Sequence, residues 1–165
     1  MPASDSGFVV PYEVRPSPIA GRGIFATCPI PRGTLIWRYS VGTSVLEHDE
    51  ASLQQRLQSL SSEAEMVDLL EHVYVWDGKA IEILDAAKTW NHSASPNTGD
   101  HPDVGQGDGV SSYALRDIAI GEELTDDYAL HDNLPWFEQL CERHGAISCL
   151  RLGRNLMDGA DQPRT

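Results

Sequence analysis

Long apolar runs are missing from this chain, and none approaches the roughly 20 residues that a helix needs to cross a bilayer. Membrane insertion is therefore not expected. The N-terminus, Met1-Pro2-Ala3-Ser4-Asp5, has neither the basic start nor the apolar stretch of a signal peptide. Cysteine is scarce: Cys28, Cys141 and Cys149 are an odd set without the density of a disulfide scaffold, so an intracellular, reducing compartment (cytoplasmic or nuclear) is expected. Basic residues are also few, 12 Lys and Arg against 25 Asp and Glu, for a formal charge of -13. Such a surface repels phosphates, which argues against direct nucleic-acid binding and against peripheral membrane attraction. It suits a basic partner, although acidity also serves plain solubility.

Several catalytic handles are lacking as well. There is no G-x-x-x-x-G-K-[ST], no H-E-x-x-H and no G-x-S-x-G, which removes the usual kinase-like, zincin and hydrolase-elbow readings. Gly21-x-Gly23 is not followed by the third glycine and the helix of a dinucleotide cradle. The loop from Thr98 to Ser112 holds Asp100, Asp103 and Asp108 without the D-x-D-x-D-G order of a calcium loop, and reads as an irregular, solvated surface loop.

What is present fits one compact domain: 165 residues, 41% hydrophobic and 22% charged. Small polar ends predict tails at 1–7 and 158–165 around a body at 8–157. Short β segments punctuated by turns fill residues 8–46. From Asp49 to Glu71, Leu53, Leu57, Leu60, Ala64 and Val67 recur at steps of four and three, which predicts one or two amphipathic helices. Val73–Trp76 and Ala80–Ile83 flank Asp77-Gly78, a tight-hairpin signature. Strand-like runs follow at Tyr113–Ile118 and Glu123–Thr125, and a final helix is expected to start near Pro135 with Phe137, Leu140 and Cys141 on one face.

Taken in order, Ala20-Gly21-Arg22-Gly23-Ile24-Phe25-Ala26, Ile30-Pro31-Arg32-Gly33-Thr34-Leu35-Ile36, Trp37-Arg38-Tyr39, Leu84-Asp85-Ala86, Asn91-His92-Ser93-x-x-Pro96-Asn97, Ala114-Leu115-Arg116-Asp117-Ile118 and Gly121-Glu122-Glu123-Leu124-Thr125-x-Asp127-Tyr128 resemble the SET-domain family of S-adenosylmethionine-dependent protein lysine methyltransferases. The resemblance covers roughly residues 12–130. It implies a mainly β fold with a helical insert at 49–71, built as a β-clip-like set of small curved sheets. A knot-like crossing would lie near the active site, with the Asn91-His92 segment beside the one ending in Tyr128. It implies a single catalytic domain over 8–157, closed by a C-terminal segment at 131–157.

By the same resemblance, the cofactor S-adenosylmethionine meets Arg22, Gly23, Ile24 and Tyr39 and the pair Asn91 and His92, and Tyr128 is the catalytic tyrosine. Trp136 and Phe137 are candidates to cover the cofactor. Position 126 usually carries an aromatic residue of the lysine channel, and here it is Asp126. A carboxylate inside the channel would hold an ammonium in its charged form or take its proton; if it turns outward, an aromatic such as Tyr74, Tyr113, Trp136 or Phe137 takes its place. Cys141-x-x-His144-x-x-x-x-Cys149 is similar to a remnant of the family's zinc-binding tail, but Ala94 stands at its further cysteine position, and no metal site is expected. The implied substrate is a lysine-containing segment of a basic protein such as a histone. A different nucleophile such as a small metabolite, a non-catalytic SET-like binding module and a homodimeric state remain open alternatives.

Overall fold

A computed structural model describes residues 6–160 as ten short strands and four α-helices. The chain divides into two compact units, one formed by the chain up to Val45 with Leu84–Asp127, the other by Leu46–Ile83 with the chain from Tyr128 onward.

The first unit carries two sheets. In one, strands β1 (Tyr12–Pro16), β2 (Arg22–Ala26), β10 (Glu123–Asp126) and β7 (Asn91–His92) lie in the order β1-β2-β10-β7. β10 is antiparallel to β2 and parallel to β7, with Thr125 opposite Asn91 and Asp126 opposite His92. The expected neighbourhood of the two motif segments is thus a direct strand pairing. In the other sheet, β3 (Leu35–Trp37), β9 (Ser112–Ala114) and β8 (Thr98–Gly99) lie in the order β3-β9-β8. Ile24, Ile36 and Leu124 are fully buried, and Ile30 and Ile118 nearly so, the last two meeting in an isolated antiparallel bridge.

Several local expectations change here. Thr98–Gly99 is strand rather than loop, because Thr98 Oγ1 donates to the Thr125 carbonyl at 2.8 Å and the segment pairs with Tyr113 and Ala114. The run from Tyr113 ends as a strand at Ala114. Of the expected N-terminal tail, residues 1–5 lie outside the described residues, whereas Ser6 and Gly7 are held. The Gly7 N–H donates to Asp85 Oδ2 at 2.7 Å and the Gly7 carbonyl accepts from Arg38 N at 2.8 Å. Asp85 also accepts from Ser6 Oγ, Trp37 Nε1 and Ala87 N, so one carboxylate ties three segments together.

The second unit contains the sheet β4-β6-β5, made of β4 (Val45–His48, starting at the unit border), β6 (Lys79–Ile83) and β5 (Val73–Trp76). The β5–β6 turn is the one that Asp77-Gly78 predicts, with φ of +49° and +72°. The insert forms two helices, α1 (Glu50–Gln58) and α2 (Glu63–Glu71). Asp49 caps α1 by accepting from Ser52 N, and Ser62 caps α2 by accepting from Glu65 N. Helix α3 (Pro135–His144) starts on Pro135 and stops at Gly145, whose φ of +71° suits glycine. Leu53, Leu57, Leu70, Val73, Val75, Phe137, Leu140 and Cys141 close into one core cluster.

Helix α4 (Cys149–Ala160) forms the end of the expected C-terminal segment at 131–157 and runs into the expected tail at 158–165, of which residues 161–165 lie outside the described residues. Its cap is Ser148, whose Oγ accepts from Arg151 N at 3.2 Å. No helix among the described residues is long and apolar enough to cross a membrane.

Candidate active site

Strand β10 brings most of the residues singled out in the sequence into one sheet, between Arg22, Gly23 and Ile24 on β2 and Asn91 and His92 on β7, with Asp126 at its own end. The chemistry of that sheet edge centres on Glu123. Its carboxylate accepts from Ser17 Oγ at 2.8 and 2.9 Å and from Asn91 Nδ2 at 2.7 Å. The Asn91 amide donates further to the carbonyls of Ala20 and Arg22, each at 3.1 Å. Asn91 therefore fastens the 20–22 turn to β10.

Gly23 is buried, and a Cβ there would stand 2.0 Å from Glu123 Oε1 and 3.1 Å from Ser17 Cβ. The space that glycine leaves is occupied by the carboxylate. Any side chain at 23 must displace Glu123 from Asn91. Ile24 is fully buried, so its side chain serves the core and only its backbone faces its strand neighbours. The exposed Arg22 turns its guanidinium to the Val14 carbonyl at 2.8 Å.

His92 is buried, with Nδ1 3.7 Å from Asp127 Oδ1. Asp126 accepts the Asp127 N–H on Oδ1 at 2.9 Å, so part of the carboxylate is used on its own backbone. Tyr39 belongs to the same unit but follows the other sheet; its N–H donates to Ser111 Oγ at 3.0 Å and its ring meets Trp37 edge-on. Asn97, buried beneath β10, accepts from Thr125 N at 2.8 Å and donates to the Glu123 carbonyl at 2.7 Å, a side chain acting as a strand partner. Glu122 is held below the ordinary carboxylate range by Arg116, whose guanidinium lies 2.9 Å away, and by the Ala119 N–H.

Sequence reasoning quoted Glu123 and Asn97 within motifs but assigned them nothing, and it passed over Ser17. The available signal was chemical: a carboxylate and a carboxamide beside a glycine-rich turn need partners when half-buried.

The remaining candidates belong to the second unit. Tyr128 opens it, in a 3-10 turn over Tyr128–Leu130, half-buried and stacked on the His131 ring at 5.7 Å between centroids. Phe137 is 1% exposed inside the core cluster, and Trp136 packs half-buried against that cluster.

The residues weighed as zinc ligands have other partners. His144 Nδ1 lies 2.9 Å from Glu63 Oε2, Cys149 Sγ donates to the Glu71 carbonyl, and burial pushes the Cys141 thiol up to about 12. Among the described residues no group of three or more His, Cys, Asp or Glu could hold a metal ion. A thiol kept protonated is a poor nucleophile. In thiol titration of the native protein, Cys28 is accordingly expected to react first and Cys141 to wait for unfolding; rapid labelling of Cys141 in the native state would contradict its placement.

Comparison with known proteins adds to this geometry. The family model described as "SET domain" matches residues 21–129. A Schizosaccharomyces pombe histone-lysine N-methyltransferase, H3 lysine-37 specific, is 32% identical over 139 residues, covering 84% of each chain. A variant-silencing SET domain-containing protein of Plasmodium falciparum is 30% identical over 162 residues, 93% of this chain but only 6% of that protein's length. A Plasmodium falciparum crystal structure, provisionally assigned as a histone methyltransferase, aligns with a TM-score of 0.45 at 17% identity, covering 70% of this chain and 90% of that one. With the family match spanning more than half of the residues, including the β2, β7 and β10 segments, the chain belongs to the SET-domain family.

Proposed function

We propose that this protein transfers a methyl group from S-adenosylmethionine to the ε-amine of a lysine in a basic protein segment, of which a histone tail is the leading example. The observation that carries this reading is the 32% identity, along 84% of both chains, with a histone-lysine methyltransferase. The charge of -13 supports it, since an acidic surface attracts a lysine-rich segment and speeds encounter.

The residues at the sheet edge suit the proposed cofactor. The Ala20 and Arg22 carbonyls accept from Asn91, and each keeps a second lone pair for a ligand ammonium. Glu123 adds a negative charge and His92 a ring nitrogen. In this reading Arg22, Gly23 and Ile24 contribute backbone, Asn91 and His92 hold the adenosine part, Tyr39 completes the set carried over from the family, and the apolar surface of half-buried Trp136 covers the cofactor, whereas Phe137 is taken up by the core cluster. When bound, S-adenosylmethionine supplies a methyl on a sulfonium sulfur, open to in-line displacement. The chain must align a neutral amine and keep water away. Tyr128 is the residue proposed to orient the amine through its hydroxyl. Asp126, two residues earlier, is proposed to bias that amine's proton.

The test is transfer of labelled methyl from S-adenosylmethionine to histone octamers and to a small-molecule extract, with Tyr128→Phe alongside. Label is expected in histone lysines, and Tyr128→Phe is expected to lower kcat by about 100-fold or more while cofactor Kd stays within about threefold. Label in small molecules alone, or none in either, would overturn the reading.

A further inference from the structure

Glycine inside a helix is poorly suited to that conformation and asks for a packing reason. Gly153 lies within α4 on the stripe of Cys149, Leu150, Leu156 and Met157, and it is buried. A Cβ built on it would stand 2.7 Å from Ala129 N, 2.8 Å from Tyr128 Cβ and 2.9 Å from Tyr128 C. These are backbone atoms and a Cβ, with no flexible side-chain end to give way. Helix α4 therefore rests directly on the turn that carries Tyr128, at a point where nothing larger than hydrogen fits.

The same turn is held along its remaining length. The Tyr128 carbonyl accepts from His131 N at 3.2 Å, and the His131 ring lies between those of Tyr128 and Tyr74, with centroids 5.7 and 5.0 Å away. Asp132 then ties the segment to the β5–β6 hairpin: its N–H donates to the Val75 carbonyl at 3.0 Å and its Oδ2 accepts from Asp77 N at 2.7 Å. Helix α4 is itself anchored, by the Ser148 cap, by Cys149 on the Glu71 carbonyl, and by Arg151 between Glu138 and Glu142.

We propose that α4 is a positioning element for Tyr128: Gly153 seats the tyrosine backbone and so fixes where its hydroxyl points. Gly153 is a positioning residue, acting through Tyr128, and the inference rests on the proposed role of that tyrosine. A displacement of about 1 Å at a catalytic group can cost as much as 100-fold in rate.

Gly153→Ala tests it cleanly, because alanine favours the helix while its methyl presses on Tyr128. The variant should fold, shift the ring NMR signals of Tyr128, and lose at least tenfold in kcat with KM and cofactor Kd within about threefold. In the Tyr128→Phe background the same change should cost almost nothing more, since both act through one hydroxyl. Asn155→Ala, exposed on the same helix, should leave kcat at the parental value. Ser148→Ala, which loosens the α4 cap without adding an atom beside Tyr128, should lower kcat in the same direction. The proposal is overturned if Gly153→Ala and Ser148→Ala keep kcat within twofold of the parent, if the Gly153 and Tyr128 losses multiply, or if the Tyr128 signals do not move. Parental activity in Tyr128→Phe combined with shifted ring signals would instead overturn the role of Tyr128 and leave the seat standing.

Discussion

Glu82→Ala is expected to lower the unfolding free energy by about 3–5 kcal/mol, the range for removing one partner of a buried ion pair. Glu82 lies on β6, only 4% exposed, and its carboxylate is used completely. Oε2 stands 2.8 Å from His48 Nε2, and Oε1 accepts from the Arg56 guanidinium at 3.0 Å. His48, 7% exposed, turns its other ring nitrogen to Ser52 Oγ at 3.3 Å. The carboxylate thus joins β4, β6 and α1, the elements on which the insert is built. Without it, the buried imidazole faces the guanidinium with no acceptor between them and carries an uncompensated desolvation cost, while Arg56, about a third exposed, keeps water and Ser59 Oγ.

For a chain of this size such a loss corresponds to a fall in melting temperature of roughly 6–20 °C. Glu82→Gln keeps the shape and one acceptor oxygen, and should fall between parent and alanine. Thermal denaturation followed by circular dichroism decides: a change below about 1 kcal/mol for Glu82→Ala would show that the triad contributes little.

Much of this unit could be read from the chain because its signals are local. The Asp49 and Ser62 caps, the three-and-four spacing of Leu53 and Leu57, and the positive-φ pair Asp77-Gly78 each act within a few residues, and each element forms where those residues place it. Phe137, Leu140 and Cys141 likewise face one side of α3 into the core. In the first unit, the closeness of Asn91-His92 to the segment ending in Tyr128 was implied by the family resemblance alone, since no local pattern links segments so far apart, and the register with Thr125 and Asp126 is seen only in the structure.

Other features were less legible. Strand β1 is short and only partly buried, so its alternation hardly rises above that of a loop. Helix α4 was hidden by its cysteine: Cys149 drew attention as a ligand, while the Ser148 cap and the stripe through Leu150 and Gly153 carried the helical signal. The hub at Glu123 could not be inferred, because its partners Ser17 and Asn91 come from two other segments and meet only through the sheet. The division into two units was equally invisible, since neither unit is continuous in sequence.

Phe137→Ala is the second large effect, with an expected loss of about 3–5 kcal/mol from the missing ring and the cavity it leaves. The ring is 1% exposed and packs in the cluster of Leu53, Leu57, Leu70, Val73 and Leu140. Trp136, beside it on α3 with the rings edge-to-face at 6.0 Å, is only half-buried. Trp136→Ala should therefore cost no more than about 1–2 kcal/mol. The pair separates covering the cofactor, the role the sequence suggests for both residues, from filling the core, the role the structure gives Phe137.

A ligand that binds only the folded state adds stability as RT ln(1 + [L]/Kd), about 2.7 kcal/mol at 100 times Kd. If Phe137 serves the core alone, S-adenosylmethionine at a fixed excess over Kd raises the melting temperature of Phe137→Ala as much as that of the parent, from a lower starting point. If Trp136 lies over the cofactor, Trp136→Ala starts near the parental melting temperature and loses part of the ligand-induced rise. A Phe137→Ala protein that melts with the parent but no longer responds to S-adenosylmethionine would reverse the assignment, moving Phe137 out of the core and onto the cofactor.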